Sequence, residues 1–258
     1  MLEIIWTNRE SLIKSKLADK PLFVAAPDTG LLSLIAGAHL IQTLKAELLG
    51  YIDADWIPPI SIVNDGDPNM PIRIYSTNNL DILLSETPIL PSAWRHFAIA
   101  TYQVAIQLSS ILVVGATGIP NPKRIDIQDI NNLRVLYLGK FLDMEGISQN
   151  IREKYKLANK FTGTLAGPYS SLISLMIRHN MPFIMILVDS YPEYPDPESA
   201  AKLVEELNSM FNLNVEVKSL LDRGAEIRLM ARQLAIQTKK HQLLAGQKTG
   251  APPLNMYV

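Results

Sequence analysis

The sequence predicts an α/β fold. A single domain is expected, with a mostly parallel sheet covered by helices on both faces and a flexible C-terminal tail. Three observations carry this. Apolar runs of strand length, such as Leu22-Phe23-Val24-Ala25-Ala26 and Ile111-Leu112-Val113-Val114, lack the polar alternation of a half-exposed strand, as strands buried on both faces do. Helix-like segments alternate with these runs, the rhythm of a layered α/β domain. No fixed-period repeat or linker-like stretch precedes Gly246, so 1–245 reads as one body and 246–258 as a tail.

A chain of 258 residues with 48% hydrophobic and 19% charged residues holds enough apolar material for a large core. The net charge of −1 gives no broad attraction to nucleic acid or to an anionic membrane. Cysteine is absent, which excludes disulfides, thiolate metal sites and a cysteine nucleophile. Met1 to Trp6 includes an acid and no basic region, unlike a signal peptide. The stretch from Phe97 to Pro122 lacks charge over a membrane-spanning length, but Gln103, Gln107, Ser109, Ser110 and Gly118 interrupt it. A helix followed by a buried strand accounts for it, and a soluble, cytoplasmic protein is expected.

The elements follow in order. The strand 22–26 ends at Pro27-Asp28-Thr29-Gly30, and a Leu- and Ala-rich helix is expected from Leu31 to Leu49, stopped by Gly50. Trp56 to Pro71 is Pro-rich and polar, a long surface excursion. Short strands at 72–75 and 80–84 flank the turn Thr77-Asn78-Asn79. A helix over 91–108 places Phe97, Thr101, Val104, Ala105 and Leu108 on one face. Strand 111–114 closes at Gly115, and 133–138 is a further strand. The region 145–158 reads as mixed helix or loop, and 163–168 as a Gly-bearing loop. Helix 170–179, strand 182–188 and an amphipathic helix over 197–212 follow. Residues 215–217 fit either a short strand or a link, and a last helix is expected over 219–244.

Catalytic patterns are largely missing. His39, His96, His179 and His241 are not paired at metal-ligand spacing; His39 and His96, on expected helices, read as structural rather than as general bases, and Lys239-Lys240-His241 suit a helix C-terminus. Neither a nucleophile elbow nor a glycine-rich phosphate cradle is present. Neither a cofactor nor a metal is expected. Two loops carry a candidate ligand or anion site: Asp28, Thr29 and Gly30 between a strand and a helix N-terminus, and Gly163 and Gly167 before another helix. Backbone N–H groups at such places favour an anion, and a cap by Asp28 or Thr29 with an easy turn at Gly30 explains the first equally well. Asp189, Glu193, Asp196 and Glu198 cluster around two Tyr-Pro pairs. A cation or basic partner would suit them, as would a loop with Asp196 as N-cap and Pro197 as first helical residue.

The chain ends in Met256-Tyr257-Val258, a hydrophobic–Tyr–any triplet carrying the α-carboxylate, on a tail loosened by Gly246 and Gly250 and extended by Pro252-Pro253. Capture of a terminal carboxylate is a recurring recognition mode, and Tyr257 adds an apolar ring with a polar tip.

Three blocks resemble the archaeal proteasome assembly chaperone family in its PbaB branch, related to the second eukaryotic proteasome assembly chaperone. They are 27–31 with Ala36-Gly37-Ala38-His39-Leu40, Gly50 and Trp56-Ile57-Pro58-Pro59; Gly163 to Pro168; and Tyr194-Pro195-Asp196-Pro197-Glu198-Ser199-Ala200-Ala201. The resemblance spans about 22–230. It implies a fold similar to purine nucleoside phosphorylases without their activity. It also implies docking of Met256, Tyr257 and Val258 into pockets between α subunits of the 20S proteasome ring, as an assembly chaperone or an ATP-independent activator. A homo-oligomer is expected, with a homologous second chaperone subunit as a further candidate partner. The alternative is a small-molecule-binding protein or nucleosidase-like enzyme with a pocket at the two glycine loops.

Overall fold

The computed structural model describes residues 2–224. Ten strands and six α-helices lie wholly within this range, and 218–224 are also helical. In chain order they are β1 (Leu2–Trp6), α1 (Arg9–Lys16), β2 (Pro21–Ala25), α2 (Leu32–Thr43), β3 (Glu47–Ala54), β4 (Ile62–Asn64), β5 (Asp67–Asn69), β6 (Ile72–Ser76) and β7 (Asp81–Ser85). Then come α3 (Trp94–Gln107), β8 (Leu112–Pro120), β9 (Val135–Lys140), α4 (Gln149–Leu157), α5 (Pro168–Arg178), β10 (Phe183–Ser190) and α6 (Pro197–Phe211).

Eight strands form one sheet in the order β1-β3-β6-β7-β2-β8-β10-β9. The centre, β7-β2-β8-β10, is parallel. Antiparallel pairs flank it on both sides. The apolar runs behave as their composition predicts. Phe23 and Ala25 on β2, Val114 and Ala116 on β8, and Ile184, Ile186 and Val188 on β10 enter one core. Leu22, Val24, Val113, Phe183, Met185 and Leu187 enter the other. Successive side chains point to opposite faces of a strand, so one continuous run feeds both layers. Each fully buried Val, Leu, Ile or Phe contributes roughly 1.5–3 kcal/mol. Helices α2, α4 and α6 cover the first face, and α3 and α5 cover the second.

Local signals set most element ends. Asn8 caps α1 by accepting from the Ser11 amide at 3.0 Å. Pro168 and Pro197 open α5 and α6, where the missing N–H costs nothing. The face Phe97, Thr101, Val104, Ala105 and Leu108 is buried as expected, and the uncharged stretch resolves into α3 followed by β8.

The helix expected over 31–49 is corrected: α2 ends at Thr43, Lys45 turns the chain at φ 50°, and β3 begins at Glu47. Gly50 lies within β3, opposite Trp6, where a Cβ would strike the Ile5 carbonyl. The 56–71 excursion contains the β4–β5 hairpin. Its turn uses Asp65 (φ 50°) and Gly66 (φ 86°), as a tight hairpin turn requires. The mixed region 145–158 contains α4, capped by Ser148. Residues 213–217 form a link, and 218–224 are helical. The rest of the expected 219–244 helix, His241 and the tail 246–258 with Met256, Tyr257 and Val258 lie outside the described residues.

Candidate functional site

Chain direction in the sheet reverses between β2 and β8. The chain leaves β2 toward one edge and β8 toward the other. Ligands of open α/β sheets bind beyond the carboxyl ends of the strands at such a point, and the loop Pro27 to Gly30 sits there. Gly30 (φ 69°) and Leu31 (φ 52°) make the turn. The Asp196 amide donates to Gly30 O at 2.8 Å and the Leu31 amide to Asp28 O at 3.0 Å. A side chain at residue 30 would overlap Ser190 Oγ. Gly118 on β8 packs against the Thr29 carbonyl and Ser190 just as closely. Neither glycine could carry a side chain unless these neighbours moved.

Asp28 does not cap a helix through its side chain. Its carboxyl is buried at the sheet end, with Ser33 Oγ 3.4 Å from Oδ1 and no well-aligned bond on Oδ2. Burial pushes its pKa up to about 8, against the smaller opposing pull of Thr117, the Gly118 amide and Ser33. Desolvation disfavours a carboxylate by this route.

The Gly163 to Pro168 loop meets this region through Tyr169. Gly167 (φ 104°) precedes α5, and Pro168 and Tyr169 begin it. The buried Tyr169 hydroxyl donates to Val24 O at 3.1 Å, accepts from the Ala26 amide at 3.2 Å and lies 3.0 Å from Ser33 Oγ. Ser33 Oγ in turn donates to Ala26 O at 2.7 Å. Burial first, and then the Asp28 charge, raise the Tyr169 pKa, so the phenol stays protonated. Gly163 packs on Phe161, and a Cβ on Gly167 would meet nothing within 4 Å. The structure thus joins Asp28, Ser33 and Tyr169, while Gly163 and Gly167 act through backbone shape.

The acids of the third block find their cation inside the chain. Arg124, 1% exposed, holds Asp196 through Nε at 2.8 Å and Nη2 at 2.9 Å, and Glu198 through Nη2 at 2.8 Å. Its guanidinium stands 4.9 Å from the centre of the Tyr191 ring. Asp189 takes Arg134 at 2.9 Å and Asn121 at 3.0 Å. Asp196 is also the N-cap expected from the sequence, accepting from the Ser199 amide at 3.0 Å. Sequence reading missed Arg124. It lies 72 residues from Asp196, and only the β8–β10 pairing brings the two loops together.

Two of the described histidines make side-chain contacts, and His96 lines a surface cleft of about 490 Å³. His39 Nε2 lies 2.7 Å from Glu216 O, and His179 stacks on Tyr102 with centroids 4.4 Å apart. Among the described residues no cluster of three His, Asp or Glu side chains is placed to hold a metal, and no helix is long and apolar enough to cross a membrane. Three surface clefts of about 480, 490 and 730 Å³ are lined by other residues than Asp28, Thr29, Gly30, Gly163 and Gly167.

Known proteins agree with this architecture. The chain is 27% identical over 223 residues to an uncharacterized protein of Methanocaldococcus jannaschii, covering 86% of this chain and 88% of the other. PbaA of Pyrococcus furiosus, an archaeal homolog of proteasome-assembly chaperone, superposes with a TM-score of 0.71 at 22% identity, covering 96% of this chain and 97% of PbaA. PbaB of Pyrococcus furiosus, an archaeal proteasome activator, gives 0.72 at 16% identity, covering 91% and 98%. At these identities the structural likenesses establish the fold. The sequence model of the PAC2 family matches residues 22–235, from β2 through α6 and beyond, and the chain belongs to that family.

Proposed function

We propose that this protein acts without catalysis on the 20S proteasome, as an assembly chaperone or an ATP-independent activator, by docking its C-terminal tail into pockets of the α-ring. The observation that carries the reading is the sequence Met256-Tyr257-Val258 at the end of a chain whose body belongs to the PAC2 family. The fold shared with an archaeal homolog of proteasome-assembly chaperone and an archaeal proteasome activator supports the choice of partner. Met256 is the apolar anchor, Tyr257 packs its ring on the pocket wall, and the Val258 carboxylate pairs with a basic side chain of the ring.

In this reading residues 1–245 form the body and 246–258 the tether, in the cytoplasm. Three residues bury little area, so one tail binds weakly. Several tails on a homo-oligomer share a high effective concentration and gain about 10²–10⁴-fold in avidity. Tighter binding to a ring than to free α subunits shifts assembly toward the ring. The alternative, a small-molecule or nucleosidase-like site at the two glycine loops, predicts saturable binding of a nucleoside that survives loss of residues 256–258.

The test is capture of α-ring by the full chain, by a chain lacking 256–258 and by Tyr257→Ala. Binding by the full chain and its loss in both variants, with circular dichroism unchanged, is expected. Equal capture by all three rules out tail docking.

A further inference from the structure

We propose that the cleft between α4 and the end of β9 binds a small polyphosphate-class anion. The cleft measures about 730 Å³, within the range of small-molecule sites. Four basic side chains line it: Lys140 at the end of β9, Arg152 and Lys156 one turn apart on α4, and Lys160 just beyond that helix. Residues four apart on a helix share a face, so α4 points two cations the same way. Asp143 and Glu153 also line the cleft, which leaves an excess of two positive charges on a chain whose net charge is −1. Glu153 is engaged by the Gln149 side-chain amide at 2.8 Å.

Among the described residues the cations on this cleft lack counter-ions. Elsewhere on α4, Lys154 reaches Glu206 of α6 at 2.6 Å. Lys140, Arg152, Lys156 and Lys160 form no ion pair among the described residues. Their contacts are with neutral groups. Arg152 Nη2 donates to Met144 O at 2.8 Å, and its Nε–H is buried without an acceptor. Lys160 Nζ donates to Tyr155 O and, at 2.9 Å, to Ala158 O, and stands 4.0 Å from the Tyr155 ring centre. Lys140 Nζ stands 5.1 Å from the Phe141 ring centre. Lys160 is exposed, and the slight desolvation of its ammonium pulls its pKa down.

This arrangement favours a compact, multiply charged ligand. A guanidinium and mobile ammonium groups around one concavity suit phosphate oxygens. A lysine already occupies one face of each aromatic ring, so charge rather than ring stacking sets recognition. Affinity should follow the charge of the anion.

The experiment is calorimetric titration of the full-length protein at low salt with inorganic tripolyphosphate, pyrophosphate and orthophosphate. Saturable binding that weakens in that order and with added salt is expected. The double variant Lys140→Gln, Lys156→Gln, which disturbs no hydrogen bond to the backbone, should lose at least about tenfold in affinity. Arg178→Gln, an exposed cation on another helix, should bind like the wild type. The proposal is overturned by absent or non-saturable binding, by equal losses in both variants, or by a polyglutamate peptide binding more tightly than tripolyphosphate.

Discussion

Asp28 and Arg124 solve the same problem, a charge in the interior, in opposite ways. Among the described residues no cation pairs with Asp28, and burial raises its pKa to about 8. Folding then holds a proton that the unfolded chain releases above its ordinary carboxyl pKa. Stability contributed at this site is therefore greatest at acid pH, falls as pH rises from about 4 toward 8, and is flat beyond. Asp28→Asn removes the titration. The expected result is a variant more stable than wild type at pH 8, with the difference shrinking toward pH 5, read from urea midpoints. Arg124 instead neutralises Asp196 and Glu198 directly. Removing one member of a buried network strands the others, so Arg124→Gln should destabilise by about 3–5 kcal/mol, read by the same unfolding assay.

At the scale of elements, Tyr169 ties α5 to the end of β2. Tyr169→Phe leaves the Ala26 amide without its acceptor and should cost about 1–3 kcal/mol, seen as a lower denaturation midpoint. Gly30→Ala should cost more than the roughly 1–3 kcal/mol of a strained backbone, because the new methyl also meets Ser190. The central strands and helices could be read from sequence because their residues decide them locally. Val113 and Val114 are both buried whichever way they point, and Asp196-Pro197 is a helix start in any context. β3 could not be read. Leu44 to Leu49 continues the apolar spacing of α2, and the break falls at Lys45, a residue with no marked preference for positive φ. The Asp65-Gly66 turn did carry a hairpin signal, but strands of three residues leave no periodicity around it. Of the candidate site, the Asp196 cap was legible, whereas Arg124 and Tyr169 matter only through contacts 72 and 145 residues away in the chain.

At the scale of the molecule, a sheet with a parallel centre is covered by helices on both faces. In the proposed function this body carries the tail that docks on the proteasome ring. The most direct measurement is the affinity of the full chain for isolated proteasome α-rings, compared with a chain ending at Asn255. Loss of binding with an unchanged unfolding midpoint is the result this account predicts. Undiminished binding by the shortened chain would contradict it.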